Sequence, residues 1–577
     1  MYNNHAMNNL VQKKIRNTTV AETLVNTLVN LDVDSVFGYP GASVLSIYNE
    51  LSYTNKITHY LVRHEQAAIH AAEGYARTSG KVGVVLVTSG PGFTNTITGI
   101  ANAYTDSTPL VVLAGDVPST NRHGKVFQHV DIVSMTRSCA KKVYSVSKND
   151  DIKQVLEEAF NIANTGIKGP VVIALPRDIL ESEYKNKVTN IVENDIKTKN
   201  YSQAIEKLNK LLSEAKKPLI LVGGGAINAS EDITKLVEQY NLPLVSTLMG
   251  IGIYPSDSEN YMGMIGINGS HSANAVLNNC DLLISFGAAF SDRSTCKKAK
   301  LGTNAKIVSV NLNLISEDFE LQIKADVKEF LQQYISIHNT PSPLPLSHKG
   351  RGDSTSYTEN TCSHTSLENL QGNLNYSDWL KQVKSIKEEF IAEDNSVNCL
   401  HSSYVLATLS EYTRKYEPIV VTDVGQHQML TAQFYNFNKP RKFITSGGLG
   451  TMGFGLPAAI GAHIANPDNF VLNITGDGSF QMNLQELATC REHNIPVKII
   501  IMNNGYLGMV RQMQEKIYNN RYQVEMTNPD FVKIAEAYDL FAIRVTDKNE
   551  LIPAINKAIE HKGTAIVDIM IDSFEEI

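Results

Sequence analysis

The chain has 577 residues, 42% of them hydrophobic and 19% charged, with a formal net charge of −7. Such a length exceeds a single hydrophobic core and predicts roughly two to four domains. The mildly acidic balance, without a basic block, argues against nucleic acid as the main partner, and no run approaches the roughly 18 apolar residues of a membrane span. The opening stretch "MYNNHAMNNLVQKKIRNTT" has no apolar signal-peptide centre, so a cytoplasmic location is expected. Six cysteines are scattered without a C-x-x-C pair, which reads as reduced thiols rather than disulfides or a zinc site.

In chain order, the first block, 15–185, carries "EQAAIHAAEGYART", a helical pattern, among the strand-like runs "VGVVLVTSGPG", "TPLVVLAGD" and "GPVVIALPRD". Each run is β-branched, continuously apolar and closed by a Gly- or Pro-bearing turn, the mark of strands buried on both faces. A second block, 200–335, repeats the pattern with "KPLILVGGGAI", "CDLLISFGAAF" and "AKIVSVNLNL". The segment 339–375 is rich in Pro, Ser, Thr, Asn and Gly and reads as a flexible linker; its "RGD" is read as chance. The third block, 376–577, carries "EPIVVTDVGQH", "NFVLNITGDGS", "VKIIIMNNGY" and "TAIVDIMID". The expected fold is α/β, with three doubly wound parallel-sheet domains whose ligands lie at the carboxyl ends of the strands.

The chemistry is most concentrated in "GDGSF". A carboxylate at the end of a parallel strand, just before a helix N-terminus, faces the place where phosphate sits. Two anions repel, so a hard cation between them is the natural solution, and Mg²⁺ is commonly shared between one or two protein oxygens and phosphate. Asp477 is the first candidate ligand and Asn504, ending the next strand-like run, the second. Gly-Asp-Gly alone is also an ordinary turn. With Asn503-Asn504 on the following strand it resembles the thiamine-diphosphate motif.

The stretches "VFGYPGASVLSIYNEL", "RHEQAAIHAAEGYAR", "TSGPGFTNTITGIANAYTDSTPLVVLAGDVP", "GGLGTMGFGLPAAIGA" and "GDGSFQMNLQELAT" occur in that order. Through them the chain resembles the catalytic subunits of the acetolactate synthase (acetohydroxyacid synthase) family over nearly its whole length apart from the linker. The resemblance implies pyrimidine-binding, central flavin-type and diphosphate-binding domains. It implies thiamine diphosphate, Mg²⁺ and FAD as cofactors. Glu65 would activate the thiamine ring, and Gln128 would lie near the reacting carbon. Asp477, Asn504 and the carbonyl of Tyr506 would hold Mg²⁺, while Gly425, Gln426, His427, Gly478 and Ser479 would contact the diphosphate. Met452 would support the bent cofactor. In the middle block, Gly223, Gly224, Gly225, Thr247, Leu248, Met249, Gly287, Asp292, Arg293, Asp326 and Val327 match flavin-contacting segments. The implied reaction is decarboxylation of pyruvate and joining to a second 2-ketoacid, giving 2-acetolactate for branched-chain amino-acid synthesis. A homodimer or homotetramer is implied, with Glu65 of one subunit serving the cofactor anchored by Asp477 of another, and with room for a regulatory small subunit.

Several positions depart from the family pattern. His129 stands where Glu is usual, Ala289 and Ser291 replace Arg and Asp, and Asn311 and Asn313 replace acidic groups on the flavin side. Met513 stands where an acceptor-side Trp is expected, Ile267-Asn268 replace Met-His, and Ala42-Ser43 occupy a loop near the cofactor. "IMIDSFEEI" follows the last strand-like run where the family usually continues into a closing arm. These departures keep two alternatives open: a sister thiamine-diphosphate enzyme with another donor or acceptor, and a non-catalytic cofactor-binding descendant. The retained Glu65, Asp477 and Asn504 speak against the latter.

Overall fold

The computed structural model describes residues 17–121, 125–185, 199–295, 305–316, 318–339, 375–392 and 400–577. The expected linker lies outside these residues except for its two ends. Three six-stranded sheets, all parallel, account for the described strands. The first contains β1 (Ser35–Tyr39), β2 (Thr58–Leu61), β3 (Gly83–Val87), β4 (Leu110–Asp116), β5 (Lys142–Ser145) and β6 (Pro170–Pro176), in the order 2-1-3-4-6-5. The middle sheet contains β7 (Pro218–Val222), β8 (Leu244–Ser246), β9 (Tyr261–Met264), β10 (Leu282–Phe286), β11 (Lys306–Asn311) and β12 (Leu321–Lys324), in the order 12-11-10-7-8-9. The third contains β13 (Ile419–Thr422), β14 (Phe443–Ile444), β15 (Val471–Gly476), β16 (Lys498–Asn503), β17 (Phe541–Val545) and β18 (Ala565–Met570), in the order 14-13-15-16-18-17.

Counted from each sheet's own first strand, the outer two share the order 2-1-3-4-6-5, whereas the middle sheet is 3-2-1-4-5-6, the dinucleotide-binding order. Each order has a reversal beside its first strand. The reversal lies between β1 and β3, between β7 and β10, and between β13 and β15. Loops leaving those strands diverge to opposite faces and open a crevice at the carboxyl ends.

The chain divides into two compact units. One comprises Met1–Glu193, Val397–Tyr435 and Arg441–Ile577, so the outer two sheets share it; the other comprises Asn194–Ser396 and Asn436–Pro440. Inside the first unit, helix α1 (Glu65–Ser79) crosses the helix Gly455–Ala465 through reciprocal glycines. A Cβ on Gly74 would lie 1.9 Å from the Ala458 carbonyl oxygen, and one on Gly461 would lie 1.7 Å from that of Ala71. Only hydrogen atoms at these positions let the two backbones meet. Helix α1 starts at His64, whose ring nitrogen accepts from the Gln66 amide, and stops at left-handed Gly80.

Candidate cofactor and active site

The third sheet places its motif at the β13/β15 reversal. Gly425 and Gln426 follow β13 and open the helix Gln426–Phe434; Asp477, Gly478 and Ser479 follow β15. Ser479 Oγ donates to the Val424 carbonyl at 2.9 Å, joining the two turns. Asp477 is 2% exposed, and its Oδ2 accepts from the Gly505 amide at 2.9 Å and from Asn528 Nδ2 at 2.6 Å. Burial pushes its carboxyl above the usual carboxylate range, against these neutral donors. Asn504 Nδ2 donates to Gln426 Oε1 at 3.3 Å, and Asn504 Oδ1 accepts from the Tyr506 amide at 2.9 Å. Asp477, Asn504, Tyr506 and Gln426 are thus gathered at the ends of adjacent strands.

Two features fit a metal-bound diphosphate here. His427 is buried, and its Nε2 has no hydrogen-bond partner, while desolvation drives the imidazole down to about 3. An orphaned polar atom of this kind beside an anion-binding turn is suited to a ligand oxygen. A carboxylate satisfied only by neutral donors is likewise suited to a hard cation. Among the described residues, no group of three or more His, Cys, Asp or Glu side chains is placed to hold a metal ion.

The Met452 loop is fixed from below by Asp423, a residue to which the sequence motifs assign no role. Fully buried at the end of β13, Asp423 accepts from the amides of Gly453 and Gly455 at 2.8 and 3.0 Å. Met452 is held half-buried between them and Thr451. Ser446 and Thr451 donate to Asn102 Oδ1, so the same loop is anchored to the first sheet's side.

At the β1/β3 reversal, the turn after β3 collects the other candidates. Glu65 opens α1, and its Oε2 accepts from Asn95 Nδ2 at 2.9 Å. A Cβ on Gly92 would approach Glu65 Oε1 to 3.3 Å, and one on Gly90 would lie 2.8 Å from Gln128 Cβ. One "SGPG" turn therefore carries Glu65 on one side and Gln128 on the other. Gln128 itself adopts φ 58°, an uncommon conformation for a side chain of its kind. Ser43 does not face this turn's open side: it is buried, and its Oγ pairs with Thr88 Oγ1 at 2.9 Å and accepts from the Ser89 amide at 3.0 Å. Asn95 and Asp423 escaped the sequence reading because their partners are remote in sequence. Among the described residues, no hydrogen bond joins Glu65 to the Asp477 group within one chain.

In the other unit, Gly223, Gly224 and Gly225 follow β7, Gly287 follows β10, and Thr247 and Leu248 follow β8. These meet at the β7/β10 reversal. A Cβ on Gly223 would lie 2.4 Å from Ala288 Cα, and the Gly225 amide donates to the Gly287 carbonyl at 3.0 Å. Asn311 Nδ2 donates to the Ala288 carbonyl at 2.9 Å, a bond an ionised Asp at that position could not make. Asp326 Oδ1 caps the next helix by accepting from the Lys328 amide at 2.9 Å. Asp292 and Arg293 lie in an exposed short helix, and the Arg293 carbonyl accepts from the Ile267 amide at 3.0 Å, so Arg293 and Ile267 are adjacent.

Residues 571–577 lie against the Asp477 group. Arg511, in the helix Gly508–Tyr518, is 1% exposed and donates to the carbonyls of Ser573 and Glu575 at 2.6 and 3.0 Å. Gln426 Nε2 donates to the Glu575 carbonyl at 2.9 Å, and Ser573 Oγ donates to that of Asn504 at 2.8 Å. Met513, on the same helix, is 53% exposed.

Three family models match the chain: "Thiamine pyrophosphate enzyme, N-terminal TPP binding domain" over residues 18–135, the central domain over 205–334, and the C-terminal TPP binding domain over 423–569. The chain is 39% identical to the acetolactate synthase isozyme 3 large subunit of Escherichia coli over 576 residues, covering 96% of this chain and 95% of that protein. It is 39% identical to the acetolactate synthase large subunit of Haemophilus influenzae, with 96% and 95% covered. Against the chloroplastic acetolactate synthase of Arabidopsis thaliana the identity is 37%, with 96% and 82% covered. The matched TPP binding domains contain the two crevices described above, and the chain belongs to the acetolactate synthase family of thiamine pyrophosphate enzymes.

Proposed function

We propose that the chain decarboxylates pyruvate and joins the remaining two-carbon unit to a second 2-ketoacid, giving 2-acetolactate when pyruvate is also the acceptor. The observation that carries this reading is the pairing of a buried carboxylate and an orphaned imidazole at one strand reversal with Glu65 opening a helix at another. Thiamine diphosphate supplies, when bound, an acidic ring carbon and an electron sink for the decarboxylation. Asp477 and Asn504, with the Tyr506 carbonyl, hold Mg²⁺; Gly425, Gln426, His427, Gly478 and Ser479 hold the diphosphate, and Met452 supports the rings. Glu65 holds and returns the proton of the aminopyrimidine, with Asn95 aiming its carboxylate. Gln128 binds the reacting carbonyl from the other side of the same turn, and Arg293 binds the acceptor carboxylate.

A homodimer or homotetramer, in the cytoplasm, completes the site: Glu65 of one chain serves the cofactor held by Asp477 of another. The large-subunit names of two relatives support a regulatory small subunit as a further partner. FAD in the central unit is supported by the 3-2-1-4-5-6 sheet. Gly223 and Gly225 pack on the chain's own backbone, so the flavin's own test is the absorbance of the purified protein.

Incubation with pyruvate, thiamine diphosphate and Mg²⁺, with and without 2-oxobutyrate, tests the reading by product identity. Carbon dioxide with 2-acetolactate is expected, and Glu65→Gln should abolish both. Release of carbon dioxide with acetaldehyde or acetate alone would reject carboligation, and no release would reject decarboxylation. The exposed Met513 and Ile267, 53% and 54% accessible, favour a second reading in which the preferred acceptor is altered. Competition between pyruvate and 2-oxobutyrate decides it.

A further inference from the structure

The loop that begins with Asp477 ends on a second buried carboxylate. Glu486 closes a short 3-10 turn, Leu484–Glu486, and is 0% exposed. Its Oε1 and Oε2 accept from the Arg63 amide at 2.9 and 3.2 Å, and Oε2 accepts from Thr489 Oγ1 at 2.7 Å. Arg63 lies in the joint between β2 and α1, two residues before Glu65. Burying a carboxylate opposes folding unless strong donors compensate. A backbone N–H beyond the end of an edge strand needs such an acceptor, and an anion near a helix N-terminus is favoured.

The whole segment around Glu486 grips the same joint. Thr489 Oγ1 also approaches the Leu61 carbonyl at 3.3 Å, the Arg63 guanidinium donates to Glu492 at 2.5 Å, and the His493 ring lies 5.1 Å from that of Tyr60. Facing Glu486 are Arg63 and His64 from the joint, with Glu65 opening α1 beyond them, and Thr489 and Cys490 from its own side; Glu492, His493, Tyr60 and His59 line the edges. Desolvation raises the Glu486 carboxyl to about 7, while the Thr489 hydroxyl, the Arg63 amide and charge, and the His64 amide pull the other way. The Cys490 thiol, pushed up to about 12, stays neutral beside it.

We propose that Glu486 is a positioning residue for Glu65: its carboxylate fixes the backbone of the Arg63–His64 joint, and so sets where helix α1 starts and where the Glu65 side chain leaves it. Because Glu486 and Asp477 share one loop, each chain thereby ties its metal-and-diphosphate half-site to its own Glu65 half-site. The inference rests on the role given to Glu65 above. Its first readout is independent of that role.

The test is amide hydrogen exchange of full-length protein over a peptide covering 61–68, corrected for intrinsic rates, at pH 6 and pH 8. Wild type should be more protected at pH 8, Glu486→Ala should be exposed at both, and Glu486→Gln should be protected equally at both. Exchange in Glu486→Ala equal to wild type would overturn the anchor even if the protein makes 2-acetolactate. In turnover, Glu486→Ala should lower kcat by roughly ten- to a hundredfold while KM for pyruvate and cofactor affinity change by less than about twofold, since misplacement of one reacting group acts on the chemical step. Glu486→Gln should restore most of kcat at pH 8. Loss of kcat in step with cofactor affinity and melting temperature would mean a merely structural role and overturn the proposal. If wild type proves inactive on pyruvate, the exchange result still decides the anchor, and the reading of Glu65 fails separately.

Discussion

The middle and third sheets both place glycines at a strand reversal, and they use them differently. After β7, Gly223 and Gly225 are filled by Ala288 and Gly287 of the same fold, so the missing side chains serve close backbone packing. After β13, Gly425 adopts φ 153° and leads into His427, whose buried Nε2 is left without a partner. A glycine turn is evidence of a ligand only when the polar atoms around it are left unsatisfied. By that criterion the third sheet is built to receive an anion, and the glycines after β7 are explained within the chain itself.

Changes that break this comparison should separate binding from folding. The largest effect is expected for Asp477→Asn, which keeps an acceptor for the Gly505 amide but removes the charge; turnover should fall by roughly a thousandfold, a loss of several kcal/mol of metal-dependent stabilisation. In the same variant, thermal scans should lose the rise that Mg²⁺ with thiamine diphosphate produces in wild type, about 2.7 kcal/mol of stabilisation at a hundredfold excess over Kd. Without cofactor the variant should be the more stable protein at pH 8, because burial has already raised the Asp477 carboxyl and its ionisation opposes folding.

Gly223→Ala should do the reverse. Its Cβ would meet Ala288 Cα at 2.4 Å, so overpacking of about 1–3 kcal/mol should appear as a lower melting temperature, with thiamine diphosphate affinity unchanged. Gly461→Ala, meeting the Ala71 carbonyl oxygen at 1.7 Å, should be worse, because backbone on both sides of that helix crossing must move.

A pH dependence should follow from the same imidazole. His427 is held neutral, its pKa lowered by burial to about 3, so the unfolded chain binds the extra proton between about 3 and the ordinary 6.5. Stability linked to this group is therefore present above 6.5 and is lost as pH falls through that window. Denaturation of His427→Gln between pH 7 and pH 4 should show a shallower loss than wild type; equal slopes would contradict the assignment.

Much of this was legible in the sequence, and the limits have physical causes. Interior strands such as β3, β4, β7 and β16 are buried along their whole length, and each carries an unbroken apolar run. Edge strands β2, β5, β12 and β17 are only partly buried and carry no such run. The GDG and Asn-Asn motifs were visible because both halves lie on successive strands. Asp423, Asn95, Asn528 and Glu486 were not, since each acts on a partner brought close only by folding. The packing of the outer two sheets into one unit was equally hidden: the reciprocal contacts of Gly74 and Gly461 join segments far apart in the chain and leave no local period.

The central claim is that Glu65 and Asp477 act in one site contributed by two chains. Coexpression of Glu65→Gln with Asp477→Asn, each inactive alone, tests it most directly. Random pairing in a dimer should restore about one quarter of wild-type 2-acetolactate formation, because half of the dimers are mixed and each mixed dimer holds one intact site. A mixture as inactive as either parent, with mixed dimers verified by mass, would place both residues in the site of a single chain and contradict the account.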